Sequence, residues 1–200
     1  MSQNFKSFSA RNLAGAEVSL SDFAGKPVLI ENIASLWGTT VADLTAMNGI
    51  ADKFGDKVAV LGFPCNQFGH QTNENDNEFL NTLKHVRPGS GFEPKFTVMA
   101  SVQVNGADAH PLFKWMRSSI KIPMDPAGDS KGLGCDDVDA LILPRAGFGG
   151  TTVTLWSPVT RTDIAWNFEK FLINANGEII ARYSRFYPTA EIEKDIAALL

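Results

Sequence analysis

The chain has 200 residues, of which 44% are hydrophobic and 20% charged, a composition typical of one globular domain. This composition excludes disordered, collagen-like and coiled-coil proteins. The 18 Lys and Arg against 22 Asp and Glu give a net charge of −4 and a pI ≈ 5.4, so nucleic acid is not expected as a partner. The sequence predicts a single domain spanning residues 1–200.

The chain contains no apolar run close to the ~20 residues of a membrane span, and residues 1–9 lack the apolar core of a signal peptide. We therefore expect no membrane partner and a cytoplasmic location. Cys65 and Cys135 are the only cysteines, and they form neither Cys-x-x-Cys spacing nor a Cys/His cluster. A disulfide framework and a metal site are not expected, and Cys65 is predicted to be a small buried hydrophobic residue.

The first half of the chain predicts a β-α-β unit. A small hairpin is expected at residues 5–9 and 17–20, followed by a mostly apolar, buried strand at 28–34. A helix should follow, because apolar residues recur every three or four positions, and residues 57–63 read as the next buried strand, parallel to the first. The helix positions are Val41, Leu44, Met47, Ile50 and Phe54.

The second half predicts two more helices, at 77–86 and 110–120, with a short strand at 96–99 between them. Later, runs at 168–173 and 179–184 flank an Asn-Gly turn, which favours an antiparallel hairpin. A closing helix begins at Thr189. The order of elements predicts a thioredoxin-like α/β fold, with a central mixed sheet flanked by helices and an N-terminal hairpin.

The junction after the first main strand is the first candidate for chemistry, because ligands collect at the carboxyl ends of parallel strands, where a helix N-terminus adds partial positive charge. It reads Asn32-Ile33-Ala34-Ser35-Leu36-Trp37-Gly38-Thr39-Thr40. A sulfur or selenium nucleophile at position 37 would have its anion stabilised there. The residue in this chain is Trp.

Two further segments carry candidate site residues. The sequence at 63–71 follows the second buried strand, and the sequence at 166–171 opens the later hairpin. The amides of Gln67 and Asn167 and the indole of Trp166 donate hydrogen bonds without titrating. We expect these donors to converge on the helix start near Trp37 as a preorganised anion site.

These three segments, together with Lys84-His85-Val86-Arg87-Pro88-Gly89, Trp156-Ser157-Pro158-Val159 and Arg182-Tyr183-Ser184-Arg185, resemble the glutathione peroxidases over nearly the whole chain. The resemblance implies selenocysteine or cysteine at position 37, acting with Gln67, Trp166 and Asn167. It further implies a cycle in which the nucleophile reduces a hydroperoxide, then passes through a mixed selenosulfide and is regenerated by glutathione. No metal or bound organic cofactor is implied.

Trp37 departs from this pattern, because an indole is not a nucleophile, so the chain as written is predicted to be inactive. The selenocysteine codon UGA differs by one base from the tryptophan codon UGG. We therefore hypothesise that the native residue at position 37 is selenocysteine. Two alternatives stay open: a non-catalytic relative that binds a thiol or a partner protein, and a phospholipid-hydroperoxide peroxidase.

The resemblance also bears on the reductant and on assembly. Arg87 and Arg185 are candidates for binding the carboxylates of glutathione. Two family arginines are replaced, by Ala42 and Phe186, which predicts weaker glutathione binding. The helix expected at 77–86 contains no resolving cysteine, which favours glutathione over thioredoxin.

The irregular segment 121–163 matches, in position, the insertion that tetrameric members of the family use for subunit contact. An uncovered loop of this length is uncommon in a compact domain unless it is functional or covered by a partner. A homotetramer acting on soluble peroxides is therefore expected, whereas a monomer would favour the lipid-directed alternative.

Overall fold

A computed structural model describes residues 3–124 and 154–200. The strands are β1 (Ser9–Arg11), β2 (Glu17–Ser19), β3 (Val28–Ile33), β4 (Ala59–Pro64), β5 (Thr97–Val98), β6 (Lys170–Ile173) and β7 (Ile179–Tyr183). The helices are α1 (Thr40–Phe54), α2 (Asp76–His85), α3 (Pro111–Ser119) and α4 (Glu193–Ala197).

The central sheet has five strands in the order β5-β4-β3-β6-β7. Strand β3 is parallel to β4, and β4 is parallel to β5. On its other side β3 is antiparallel to β6, which is itself antiparallel to β7. The predicted β-α-β unit followed by an antiparallel hairpin is confirmed, and with it the mixed α/β sheet.

Every residue of β3 and β4 is buried, as their nearly uninterrupted apolar sequences predict for strands that are covered on both faces. Val28 and Ile30 pack into one apolar cluster, whereas Leu29 and Ile33 pack into a second. This division follows from the alternation of side chains along a strand. The sheet therefore separates two apolar layers, and its carboxyl-terminal edge carries the loops described below.

The helices begin and end at recognisable local signals. Helix α2 starts with a capping box between Asn75 and Glu78, which satisfies two N–H groups that the helix itself leaves unpaired. Helix α3 has Pro111 in its first turn, where the missing N–H is not needed. In α1, Val41 fits the predicted apolar spacing but is 49% exposed, and the buried apolar residues of the helix begin at Leu44.

Several predicted boundaries need correction; β4 begins at Ala59 and not at residue 57, and β6 begins at Lys170 and not at residue 168. Residues Phe5–Ser7 form a 3₁₀ turn capped by the Asn4 side chain, so the first strand of the small hairpin starts only at Ser9. Strand β5 has two residues instead of four. The closing helix starts as a 3₁₀ turn, Thr189–Ile192, before α4.

The irregular segment 121–163 is described only at its two ends. Met124 extends the sheet beside β7, because its N–H donates to Arg182 O at 2.7 Å and its carbonyl accepts from Ser184 N at 2.8 Å. Cys135, in this segment, lies outside the described residues. Its predicted role in subunit contact therefore stays a prediction.

Candidate active site

Position 37 lies in the loop between β3 and α1. The Trp37 N–H donates to Thr40 Oγ1 at 3.0 Å, and that hydroxyl donates to Ala34 O at 2.8 Å. Thr40 is completely buried, whereas Trp37 is partly exposed. The loop therefore holds residue 37 immediately before the first turn of a 15-residue helix, where the helix dipole stabilises negative charge.

The indole of Trp166 packs against that of Trp37, with ring centroids 5.6 Å apart and planes at 58°. Trp166 Nε1 is buried and has no hydrogen-bond partner among the residues that the structure describes. An unpaired N–H in a buried position is unusual in proteins. The structure thus brings the predicted donor Trp166 next to residue 37, with its N–H unused.

Asn167 joins this group through a glutamine other than the one predicted. Its Nδ2 donates to Gln71 Oε1 at 2.7 Å. The main-chain carbonyl of Gln71 accepts from Leu36 N at 3.0 Å and from Ser35 Oγ at 3.3 Å. Gln71 therefore connects the loop that carries residue 37 to the segment that carries Asn167.

Among the described residues, the hydrogen bonds of Gln67 go to a different segment and not to this group, so its predicted role as an anion donor stays a prediction. Gln67 Oε1 accepts from the main-chain N–H groups of Val104 at 2.8 Å and Asn105 at 3.0 Å. Its Nε2 donates to Asn105 O at 3.0 Å and to Gln103 Oε1 at 3.4 Å. Both amide hydrogens of Gln67 are therefore used in fixing the 103–105 segment.

The cause lies in the short loop between the two glutamines. Gly69 and His70 both have positive φ, +63° and +52°, a conformation common for glycine and uncommon for other residues. The chain turns sharply at these two residues, so that Gln67 packs inward and Gln71 reaches the loop of residue 37. A signal was present in the sequence, since Gln71 is a second amide in the same segment.

Both predicted glutathione-binding arginines lie at this site. Arg87 Nη1 donates to Trp37 O at 3.0 Å and lies 3.5 Å from Leu36 O. The guanidinium of Arg185 lies over the Trp166 ring at 5.9 Å and over the Phe186 ring at 4.4 Å. Positive charge therefore lies beside residue 37 through the exposed Arg87, and over its neighbour Trp166 through the partly exposed Arg185.

A buried charged cluster underlies the start of α1. Lys170 Nζ is 3.7 Å from Asp43 Oδ1, and Thr189 Oγ1 donates to Asp43 Oδ1 at 3.0 Å and lies 3.3 Å from Glu31 Oε2. Desolvation raises the pKa of Glu31 to about 8, against the opposing charge of Lys170. Burial therefore favours the neutral form of the Glu31 carboxyl.

Cys65 is fully buried, as predicted, and its Sγ lies 3.6 Å from Gln67 Oε1. Burial raises the pKa of this thiol to about 12, so it is not a nucleophile at neutral pH. Within residues 3–124 and 154–200, no three His, Cys, Asp or Glu side chains are grouped as metal ligands. None of the described helices is long and apolar enough to cross a membrane.

The family model for glutathione peroxidase matches residues 5–117 of this chain. The chain belongs to the glutathione peroxidase family. Glutathione peroxidase 1 of Pongo pygmaeus is 50% identical over 200 residues, which cover 99% of this chain and 91% of the relative. Glutathione peroxidase 2 of the same species is 44% identical over 100% of this chain and 96% of the relative. The predicted family is thereby confirmed, and with it the enzyme class, a peroxidase that uses glutathione.

Solved structures of glutathione peroxidases share the fold. The crystal structure of Trgpx in apo form matches with a TM-score of 0.63 and 28% identity, over 100% of this chain and 96% of that one. GPX1 of T. cruzi matches with a TM-score of 0.61 and 26% identity, over 98% of this chain and 96% of that one. A putative protein disulfide isomerase from Bacteroides thetaiotaomicron, at 14% identity and a TM-score of 0.54, shows the fold alone. The thioredoxin-like fold class is confirmed.

Proposed function

We propose that the native protein reduces hydrogen peroxide and organic hydroperoxides with glutathione, using selenocysteine or cysteine at position 37. The observation that carries the proposal is the contact of residue 37 with Trp166, whose indole N–H is buried and unpaired. A selenium or sulfur anion at position 37 would supply the two electrons that cleave the O–O bond, and two glutathione molecules would return them as glutathione disulfide.

The chain's own residues would then stabilise the anion without a metal. The start of α1 lowers the pKa of a group at position 37. Trp166 provides an N–H donor, and Asn167 with Gln71 provides amide groups. In this proposal Gln71 takes the role that the sequence suggested for Gln67, because Gln71 is the glutamine bonded to Asn167 and to the 35–36 loop.

Glutathione would be held by Arg87, which lies beside residue 37, and by Arg185, which lies over Trp166. A guanidinium is suited to carboxylates because it donates two parallel hydrogen bonds. Ala42 is exposed on the first turn of α1 and Phe186 is half-buried, so neither adds a charge at the two positions where the family has arginine. We propose that glutathione binding is correspondingly weak.

The test compares the chain as written with Trp37→Cys and Trp37→Ser, in a peroxidase assay coupled to glutathione reductase. Serine matches cysteine in size but is not oxidised by peroxide, so it is the matched control. We expect turnover of hydrogen peroxide only in Trp37→Cys. Equal peroxide consumption by the Trp37→Cys and Trp37→Ser variants, with both folded, would contradict the proposal.

One observation favours a second candidate, a natural non-catalytic member of the family. Trp37 is partly buried and its ring contacts that of Trp166 at a tilt of 58°, so an indole is accommodated at this position. The codon of the native gene decides between the two: UGA, read as selenocysteine, supports the enzyme, and UGG supports the non-catalytic relative.

We also propose that residues 1–200 form one domain, that it assembles as a homotetramer and that it acts in the cytoplasm on soluble peroxides. The position of segment 121–163 supports the assembly. Light scattering tests it, with an expected mass about four times the 21.7 kDa of the chain. A monomer would instead favour the phospholipid-hydroperoxide alternative, and fractionation of the source cells tests the location.

A further inference from the structure

Asn32 connects β3 to the segment that carries Trp166 and Asn167. Its side chain is completely buried. Nδ2 donates to Trp166 O at 3.0 Å, and Oδ1 accepts from Glu169 N at 3.0 Å. The main chain of Asn32 adds two bonds, accepting from Phe168 N at 2.7 Å and donating to Glu169 O at 3.4 Å.

These bonds bracket residues 166–169 from both ends. Between the bracketed ends, Phe168 adopts φ +64°, a left-handed conformation that is rare for a bulky residue and persists only where its surroundings enforce it. Phe168 immediately follows Asn167. The bonds to Asn32 therefore determine the backbone direction at Trp166, which packs against Trp37, and at Asn167, which is bonded to Gln71.

Only a side chain with one donor and one acceptor can make both side-chain bonds. Asparagine presents an amide N–H to a carbonyl and an amide oxygen to an N–H at the same time. Leucine, of similar size, would leave the Glu169 N–H and the Trp166 carbonyl unpaired in a buried place. A carboxylate would set two oxygens against each other at Trp166 O.

The neighbouring part of the segment is held independently of Asn32. Asn105 pairs with Ile164 through two hydrogen bonds, Nδ2 to Ile164 O at 2.8 Å and Ile164 N to Oδ1 at 2.9 Å. Ala165 N donates to Glu169 Oε1 at 2.8 Å. Loss of the Asn32 side chain should therefore release residues 166–168 locally while the rest of the fold stays in place.

We propose that Asn32 is a positioning residue that holds Trp166 and Asn167 against residue 37. Asn32 lies in β3, five positions before residue 37. The loop that carries residue 37 and the segment that carries its hydrogen-bond donors are therefore both attached to this one residue. The catalytic meaning of this role rests on the proposed function, whereas its geometric content does not.

The first test uses the chain as written, whose two indoles report on the geometry directly. Indoles in contact couple their electronic transitions, and this coupling gives a circular-dichroism signal that depends on their relative orientation. The Trp37–Trp166 signal is the difference between the parent and Trp37→Phe. We expect Asn32→Leu to lose it while far-ultraviolet circular dichroism shows the chain folded.

The Asn32→Asp variant provides a second test, which can be used if Asn32→Leu does not fold. A protonated aspartic acid carries one O–H donor and one carbonyl acceptor, so it replaces the amide at low pH, and burial favours this neutral form. We expect the coupled signal to be retained at about pH 5 and lost as the carboxyl ionises towards about pH 9. The parent signal should not change over that range.

Ile196→Ala serves as the control for lost stability alone. Ile196 is fully buried in α4, whose Glu193 pairs with Lys53 in the last turn of α1, about 20 Å along the helix from residue 37. We expect Ile196→Ala to be destabilised and to retain the coupled signal. Retention of the parent signal by folded Asn32→Leu, or by Asn32→Asp at a pH where infrared spectroscopy shows the carboxyl ionised, would overturn the inference.

A second test joins the inference to the activity. In the Trp37→Cys background, Asn32→Leu should lower kcat/KM for peroxide by about 10- to 100-fold, because displaced donors no longer match the reacting atoms, whereas Ile196→Ala should not. If Trp37→Cys is inactive, the proposed function fails and the circular-dichroism result still decides the role of Asn32. If activity is present and unaffected by Asn32→Leu, the positioning role is wrong and the proposed function stands.

Discussion

Asn167 and Gln71 are joined by a hydrogen bond of 2.7 Å between Nδ2 and Oε1, although 96 residues separate them in the chain. Gln71 also accepts from Leu36 N through its main-chain carbonyl. One residue thus connects the segment of Asn167 to the loop of residue 37. Gln67, only four positions earlier, is bonded to residues 103–105 instead.

The two glutamines should therefore respond differently to substitution. In the Trp37→Cys background, Gln71→Leu is expected to lower kcat for peroxide by about 100-fold, because one donor near the developing charge is lost. Its free energy of unfolding should fall less than in Gln67→Leu, since Gln71→Leu leaves only the buried amide of Asn167 without its acceptor. The measurement is steady-state kinetics paired with urea denaturation.

Gln67→Leu is the matched comparison. It leaves the buried N–H groups of Val104 and Asn105 without an acceptor, so the free energy of unfolding should fall by about 2–3 kcal/mol. Activity per folded molecule should fall less than in Gln71→Leu. The opposite order, with Gln67 controlling kcat and Gln71 controlling stability, would show that the site uses Gln67 after all.

Ala42 allows a gain-of-binding experiment. It is exposed on the first turn of α1, next to the loop of residue 37, and the family has arginine there. Ala42→Arg in the Trp37→Cys background should lower the KM for glutathione by about 10-fold, since a charged hydrogen bond to a carboxylate contributes about 1.5 kcal/mol. Ala42→Gln, of similar length without charge, is the control, and an unchanged KM in Ala42→Arg would argue against weak binding in the parent.

The raised pKa of Glu31 predicts that the free energy of unfolding depends on pH. Its pKa is about 8 in the folded protein and near 4.5 in an unfolded chain, so the folded state binds the proton more tightly. Stability from this group is present below about pH 4.5 and decreases towards pH 8, by at most about 1.4 kcal/mol per pH unit. Glu31→Gln should remove this decrease in unfolding curves taken across that range, whereas the exposed Glu178→Gln should preserve it.

The buried ion pair of Glu169 and Arg182 should contribute strongly once one partner is removed. Arg182 Nε donates to Glu169 Oε2 at 2.7 Å, and both side chains are fully buried. Arg182→Met leaves an unpaired buried carboxylate, so the free energy of unfolding should fall by about 3–5 kcal/mol. Adding Glu169→Gln to Arg182→Met should recover part of the loss.

The exposed pair of Lys84 and Glu93 provides the comparison for that experiment. Its nitrogen and oxygen are also 2.7 Å apart, but both side chains are exposed. Lys84→Met should therefore change the free energy of unfolding by less than about 1 kcal/mol. Similar losses at both pairs would mean that burial does not set the strength of the Glu169–Arg182 contact.

Much of this architecture could be predicted from local patterns. The mostly apolar run at 28–33 predicted a strand covered on both faces, and Asn176-Gly177 predicted a tight turn between β6 and β7. Boundaries were less certain, because ends depend on capping contacts: Asn4 caps a 3₁₀ turn where a strand was expected. Val41 fits the helical apolar spacing, yet among the described residues it remains 49% exposed.

The amino-acid sequence by itself determined the family, the order of strands and helices, and the placement of residue 37 at a helix start, because these depend on motifs and on periodicity along the chain. Only the tertiary structure decided that Gln71 and not Gln67 reaches Asn167, and that Asn32 holds Trp166. Both outcomes depend on contacts between residues far apart in the chain. The positive φ values at Gly69 and His70 set the direction of the loop between Gln67 and Gln71, and residue spacing in the sequence does not predict that turn.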